Sequence, residues 1–142
     1  MRALLDINVL LALLDADHVD HAATRSWLSE RIGSGWASCP ITENGFTRVI
    51  SLPSYPGAIP PAEAIERLRR ATGTSYHVFW PCDLSLLDET LFDRSRLHGP
   101  RQVTDAYLLA LAVAHQGRFV TFDQGVPLAA VRGANPGHLM VL

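Results

Sequence analysis

The stretch Ala3-Leu4-Leu5-Asp6-Ile7-Asn8-Val9-Leu10-Leu11-Ala12-Leu13-Leu14 sets a single acid between two apolar runs. Its first part is short enough for a buried strand and its second long enough for a helix, so residues 2 to 5 are predicted as a strand and residues 8 to 15 as a helix entered through Asn8. A carboxylate that ends a buried strand is costly unless it has a partner, which marks Asp6 as a residue kept for chemistry. Three other acids stand at similarly awkward places: Glu43 after the run 36 to 42, Asp105 opening the run Ala106 to Ala114, and Asp123 closing Phe119-Val120-Thr121-Phe122.

Outward from that stretch, strands and helices alternate. Helices are expected at about His21 to Arg31, from Pro40 onward, at Pro61 to Thr72, at Ser85 to Arg96 and at Thr104 to Gln116. Further strands are expected at 36 to 39, 77 to 80, 119 to 122 and, more weakly, 138 to 141. Pro40 suits the first position of a helix, where a missing N–H costs nothing. Three prolines and a glycine between Leu52 and Pro60 make a loop. The helix after it should carry Ile65 and Leu68 inward. The alternation implies an α/β sandwich of three layers, α/β/α, around a mainly parallel sheet of about five strands.

The chain has 142 residues, 48% of them hydrophobic, which suits one domain over 1-142 with a substantial core. No apolar stretch approaches the roughly 18 to 20 residues that span a bilayer, and the N-terminal run is interrupted at Asp6 and Asp15, so no membrane association and a cytoplasmic location are expected. Cys39 and Cys82 form no Cys-x-x-Cys element, which leaves neither a disulfide framework nor a zinc ribbon. A net charge of −2 gives no global basic signature for nucleic acid, so a polyanion would have to meet a local patch. All twelve basic residues are arginine, as expected from a GC-rich coding bias.

In an open α/β sheet the ligand crevice lies beyond the carboxyl ends of the strands. Asp6, Asp123 and Glu43, one turn into its helix, fall at such ends on this assignment, and Asp105 is predicted at the start of a helix, where unpaired N–H groups favour a carboxylate. Four negative charges gathered there would repel one another unless a hard cation sat between them. Oxygen-only ligation points to Mg²⁺ or Mn²⁺, and such an ion suits hydrolysis of a phosphodiester. Asp83, Asp88, Glu89 and Asp93 form an equally dense set, but on a polar face that most simply meets solvent.

The segments Leu4-Leu5-Asp6-Ile7-Asn8-Val9-Leu10-Leu11-Ala12-Leu13, Thr42-Glu43-Asn44-Gly45-Phe46, Val103-Thr104-Asp105-Ala106-Tyr107-Leu108-Leu109-Ala110 and Thr121-Phe122-Asp123 together resemble a PIN domain, and specifically the VapC toxin ribonucleases of type II toxin–antitoxin systems. The resemblance covers essentially the whole chain. It implies a Mg²⁺- or Mn²⁺-dependent endoribonuclease that cuts structured RNA such as tRNA or rRNA, forms a homodimer and is held inactive by a VapB-type antitoxin. Its acidic quartet maps onto Asp6, Glu43, Asp105 and Asp123, as catalytic residues and metal ligands alike. Asn8 and Thr104 match polar positions beside the quartet and take supporting roles, orienting a carboxylate or a bound water.

Arg48 and Arg101, near Glu43 and Asp105 in sequence, are candidates for contact with RNA phosphates. His18 and His21 flank Asp20 in a polar connection and are read as part of a solvated helix entry. Trp27, Trp36 and Trp80 are read as core or interface aromatics. Two rival functions remain to be separated. A haloacid-dehalogenase-like phosphatase needs Asp-x-Asp, but Asn8 takes the second place and the chain has no lysine. A PIN module that binds RNA or protein without cutting would need no working acidic site.

Overall fold

The computed structural model describes the whole chain, Met1 to Leu142. Its elements run β1 (Ala3–Leu5), α1 (Ile7–Leu14), α2 (His21–Glu30), β2 (Trp36–Ser38), α3 (Pro40–Ile50), α4 (Pro61–Thr72), β3 (His77–Phe79), α5 (Arg101–Ala114), β4 (Arg118–Thr121) and β5 (Leu139–Val141). The five strands form one sheet in the order β3-β2-β1-β4-β5, every neighbouring pair parallel. The chain builds outward from β1 on one side, then crosses to start again on the other, so the order reverses between β1 and β4. That reversal is where an open α/β sheet leaves a crevice at its carboxyl edge.

Alternation along the strands separates two cores. Leu4, Ala37 and Phe119 point to one face and pack with the nearly all-apolar α5 through Leu108, Leu109 and Leu111. Ala3, Leu5, Trp36 and Val120 point to the other, against α1, α3 and α4 through Leu10, Phe46, Ile50 and Leu68. The result is the expected α/β/α sandwich, its sheet parallel throughout. No helix is long and apolar enough to cross a membrane.

Several boundaries differ from expectation for identifiable reasons. The first helix is entered through Asp6, whose carboxylate accepts from the Ile7 N–H at 2.7 Å, and not through Asn8. The helix carrying Asp105 begins at Arg101, directly after Pro100, so Asp105 lies in its second turn and outside the reach of unpaired N–H groups. Ser85 to Arg96 is no helix: Asp88 turns back on Thr90 and Asp93 on Ser95, local bonds that compete with helical ones, leaving turns and a short 3-10 segment at Arg94–Arg96. On α4 the inner face is Ala64 and Leu68, one turn apart, while Ile65 is 48% exposed.

Trp36 and Trp80 are buried, as expected for core aromatics, and both cysteines are free thiols, Cys39 pushed up to about 11 chiefly by burial. Close approach fixes one glycine. A Cβ on Gly117 would stand 2.7 Å from the Arg2 carbonyl oxygen and 2.6 Å from Trp80 Cη2, where α5 hands over to β4. Gly117→Ala should therefore cost about 1 to 3 kcal/mol in urea denaturation, as overpacking does. Gly33→Ala, with nothing within 4 Å of the added carbon, should stay within about 0.5 kcal/mol of the parent.

Candidate active site

Asp6 follows β1 on the face shared with Leu4, and Thr121 ends β4 on the face shared with Phe119, so the two side chains meet on the α5 side of the sheet. Pairing continues past the strands through the Asp6 N–H, which donates to the Val120 carbonyl at 2.9 Å. Thr121, fully buried, joins the pieces: its hydroxyl donates to Asp6 Oδ2 at 2.6 Å, and its oxygen accepts from the Asp123 N–H at 3.0 Å and from Asn8 Nδ2 at 3.2 Å. Asn8 Oδ1 in turn accepts from the Phe122 N–H at 3.3 Å. One hydroxyl thus locks the ends of β1 and β4 and the start of α1 into a single polar junction.

Asp105 comes to this junction from α5. Burial, then the charges of Asp6 and Asp123, then a hydrogen bond shared with Asp123 raise its pKa to about 6. Asp6 is also raised, mainly by burial and further by Asp123, although its bonds from Thr121 and the Ile7 N–H pull the other way. Asp123 Oδ1 additionally accepts from the Gly125 N–H at 2.7 Å.

Glu43 stands apart from these three. Its Oε1 accepts from Ser38 Oγ at 2.6 Å, and the same hydroxyl lies 2.8 Å from His77 Nε2. Ser38 shares the face of Trp36, opposite that of Asp6 and Thr121. His77 is lowered, chiefly by burial and also by Arg2, against the opposing pull of Glu43. Glu43 also lines a cleft of about 700 Å³ between α3 and α4 that holds the exposed Arg48 and Arg69. Arg101 is exposed at the start of α5, and Thr104 is exposed beside Asp105.

The donor set suits a hard divalent cation: it is all-oxygen, and Asp105 is raised by burial and by the charges of Asp6 and Asp123, which a cation would offset. The side chains do not form a finished ligand set, since no three such groups are arranged as one. Asp6 accepts hydrogen bonds on both oxygens, Glu43 on Oε1 and Asp123 on Oδ1, but carboxylates retain further lone pairs for a cation.

Two further acids and two histidines have structural uses. Asp88 and Asp93 are lowered foremost by their bonds from Thr90 and Ser95. His21 Nδ1 lies 2.8 Å from the Ala12 carbonyl oxygen, and His18 Nδ1 accepts from the Asp20 N–H at 3.1 Å, so both tie the connection between α1 and α2. Three residues with clear roles in the geometry, Thr121, Ser38 and His77, carried no sequence signal of their own beyond the Thr-Phe-Asp triplet.

A family model described as "PIN domain" matches residues 3–132. The chain is 66% identical to Ribonuclease VapC44 of Mycobacterium tuberculosis over 142 residues, all of both chains. It is 42% identical to Ribonuclease VapC39 of the same species over 134 residues, 94% of this chain and 96% of that protein. Among solved structures, VapBC2 from Rickettsia felis bound to a DNA fragment from their promoter superposes with a TM-score of 0.56 over 87% of this chain and 89% of that one, at 12% identity, a likeness of fold.

Two outcomes follow from the crowded carboxylates. Asp105→Asn should stabilise the metal-free protein at neutral pH by about 1 kcal/mol, after discounting for solvent screening of a half-exposed group. Because the folded pKa is raised, wild-type stability from this group is present below the unfolded value of about 3.8 and lost as pH rises through about 6. The melting-temperature gap between variant and wild type should therefore open between pH 4 and 6 and level off above about 7. Thr121→Val should cost about 1 to 3 kcal/mol by leaving buried partners unsatisfied; an unchanged midpoint in denaturant would remove Thr121 from its place at the junction.

Proposed function

The chain belongs to the PIN-domain family, in its VapC ribonuclease branch, and from that membership we propose that it is a metal-dependent endoribonuclease toxin acting on structured RNA. The observation that carries the reading is the approach of Asp6, Asp105 and Asp123 at the switch point between β1 and β4, with Asp105 raised to about 6 by burial and then by the charges of its two neighbours. These three and Glu43 are the acids assigned to Mg²⁺ or Mn²⁺. The ion, when bound, supplies a water acidified for in-line attack on phosphorus and charge neutralisation for the departing 3′ oxygen.

The protein's own groups supply the rest. Thr121 and Asn8 keep Asp6 and Asp123 in register, so that two carboxylates from different strands face one reacting phosphate. Thr104, beside Asp105 on the exposed flank of α5, is assigned to orienting a water. Arg48 in the cleft beside Glu43 and Arg101 at the start of α5 are assigned to RNA phosphates, each a guanidinium able to grip two oxygens. In this reading the sugar–phosphate chain is held by these arginines and cut at the carboxylates.

The partners follow from the same membership. A VapB-type antitoxin is the proposed inhibitor, a homodimer the proposed assembly and the cytoplasm the proposed compartment. Asp6→Asn should abolish cleavage of RNA in a Mg²⁺- or Mn²⁺-supplemented assay while leaving the circular dichroism spectrum unchanged, and EDTA should silence the wild type. Full residual cleavage by a clean Asp6→Asn preparation, or RNA retention with no cleavage under any divalent ion, would favour the non-cutting module instead.

A further inference from the structure

Behind β2, on the face away from the three aspartates, a serine and a histidine are joined to Glu43 in a chain that the reaction described so far does not use. Ser38 Oγ donates to Glu43 Oε1 at 2.6 Å, and His77 Nε2 lies 2.8 Å from the same oxygen. A serine hydroxyl has one hydrogen. Given to Glu43, it leaves only lone pairs for His77, so Nε2 must carry a proton and donate it to Ser38. The direction is fixed by counting: His77 Nε2–H to Ser38 Oγ, then Ser38 O–H to Glu43 Oε1.

Each member is held from more than one side. Ser38 is completely buried at the end of β2. The His77 ring leans on Trp36, its centroid 4.5 Å from the indole and tilted by 60°, in the register that pairs Trp36 with His77 across β2 and β3. Arg2 Nη1 donates to the Tyr76 carbonyl at 2.9 Å and to the Trp36 carbonyl at 3.3 Å, fastening the start of β3 beside β2. Glu43, on the first turn of α3, therefore meets a hydrogen-bond donor whose place is set by two strands and whose hydrogen is committed to it.

Resting on the reading that Glu43 is one of the cleavage acids, we propose that Ser38 and His77 are positioning residues that orient the Glu43 carboxylate. They occupy Oε1 and leave Oε2 to the site. A glutamate has three rotatable bonds, and one at the mouth of an open cleft would otherwise sample many rotamers; the chain reduces them to those in which Oε1 meets Ser38. A role confined to stability would require only that buried Ser38 be satisfied, which the Glu43 bond alone achieves; the histidine makes the hydroxyl's direction unique.

The test uses the full-length protein. In kinetics on RNA, His77→Ala should lower kcat by about tenfold to a hundredfold, as loss of a carboxylate's orienting partner does, with KM for RNA unchanged. His77→Gln, whose side-chain N–H can also donate to Ser38, should recover most of that loss. In a Glu43→Gln background, His77→Ala should cost nothing further, since the residues act as one unit. A second readout needs neither metal nor turnover: in histidine-labelled, metal-free protein, the ¹⁵N spectrum should show His77 protonated at Nε2 with slow solvent exchange, and Glu43→Gln should move that resonance.

Wild-type kcat for His77→Ala, a full additive loss in the Glu43→Gln background, or a His77 ring deprotonated at Nε2 would overturn the positioning role while leaving the cleavage site intact, provided Glu43→Gln itself is impaired. Wild-type cleavage by both Glu43→Gln and Asp6→Asn would instead bring down the ribonuclease reading and this inference with it.

Discussion

Repulsion among carboxylates held at one sheet edge is the constraint around which the rest of the molecule is arranged. Asp6 and Asp123 are brought together because β1 and β4 are parallel neighbours whose pairing runs on to the Asp6 N–H. Asp105 is added from the helix that leads into β4. Burial raises the pKa of Asp6 and of Asp105, and the charge of Asp123 raises both further, so the folded state carries an electrostatic cost at neutral pH. The two hydrophobic cores absorb it. Each face of the sheet is covered by its own apolar cluster, one built on α5 and one on α1, α3 and α4, which keeps the strand ends rigid while the acids push apart.

Thr121 shows how the polar edge is reconciled with that core. Its hydroxyl is wholly buried, yet its donor and acceptor capacity is used by Asp6, the Asp123 N–H and Asn8. Satisfied networks of this kind rigidify a site, whereas one with a missing member would leave an uncompensated charge next to the core. Ser38 does the same for Glu43 on the other face. The sheet thus presents its acids from both sides: three ahead of α5, and one turned behind β2 toward the cleft of α3 and α4.

Much of this was legible in the chain because the decisive positions are local. Asp6 is conspicuous for standing directly after a buried strand, Asp123 for standing after another, and strand–helix alternation was enough to give a parallel sheet with helices on both faces. Short-range competition hid other parts. The stretch from Ser85 to Arg96 has helical spacing of apolar residues, but Asp88 and Asp93 spend their carboxylates on turns, and Phe92 is drawn into a bridge with Val131. Pro100 started α5 three residues earlier than its apolar run suggested, which moved Asp105 out of the first turn. Ser38 and His77 were invisible, and Thr121 legible only as part of the Thr-Phe-Asp triplet, for a different reason: their roles depend on strand order, and no local pattern encodes that β2 lies beside β3 or β1 beside β4. The same holds for Glu43, whose sequence position shows it at a strand end but not which face it turns to.

The central claim is that the strand-end aspartates exist to share a divalent cation, and the most direct measurement is anomalous diffraction from crystals equilibrated with Mn²⁺. A single dominant peak is expected among Asp6, Asp105 and Asp123, with carboxylate oxygens at ~2.1 Å. No peak there at saturating Mn²⁺ would overturn it.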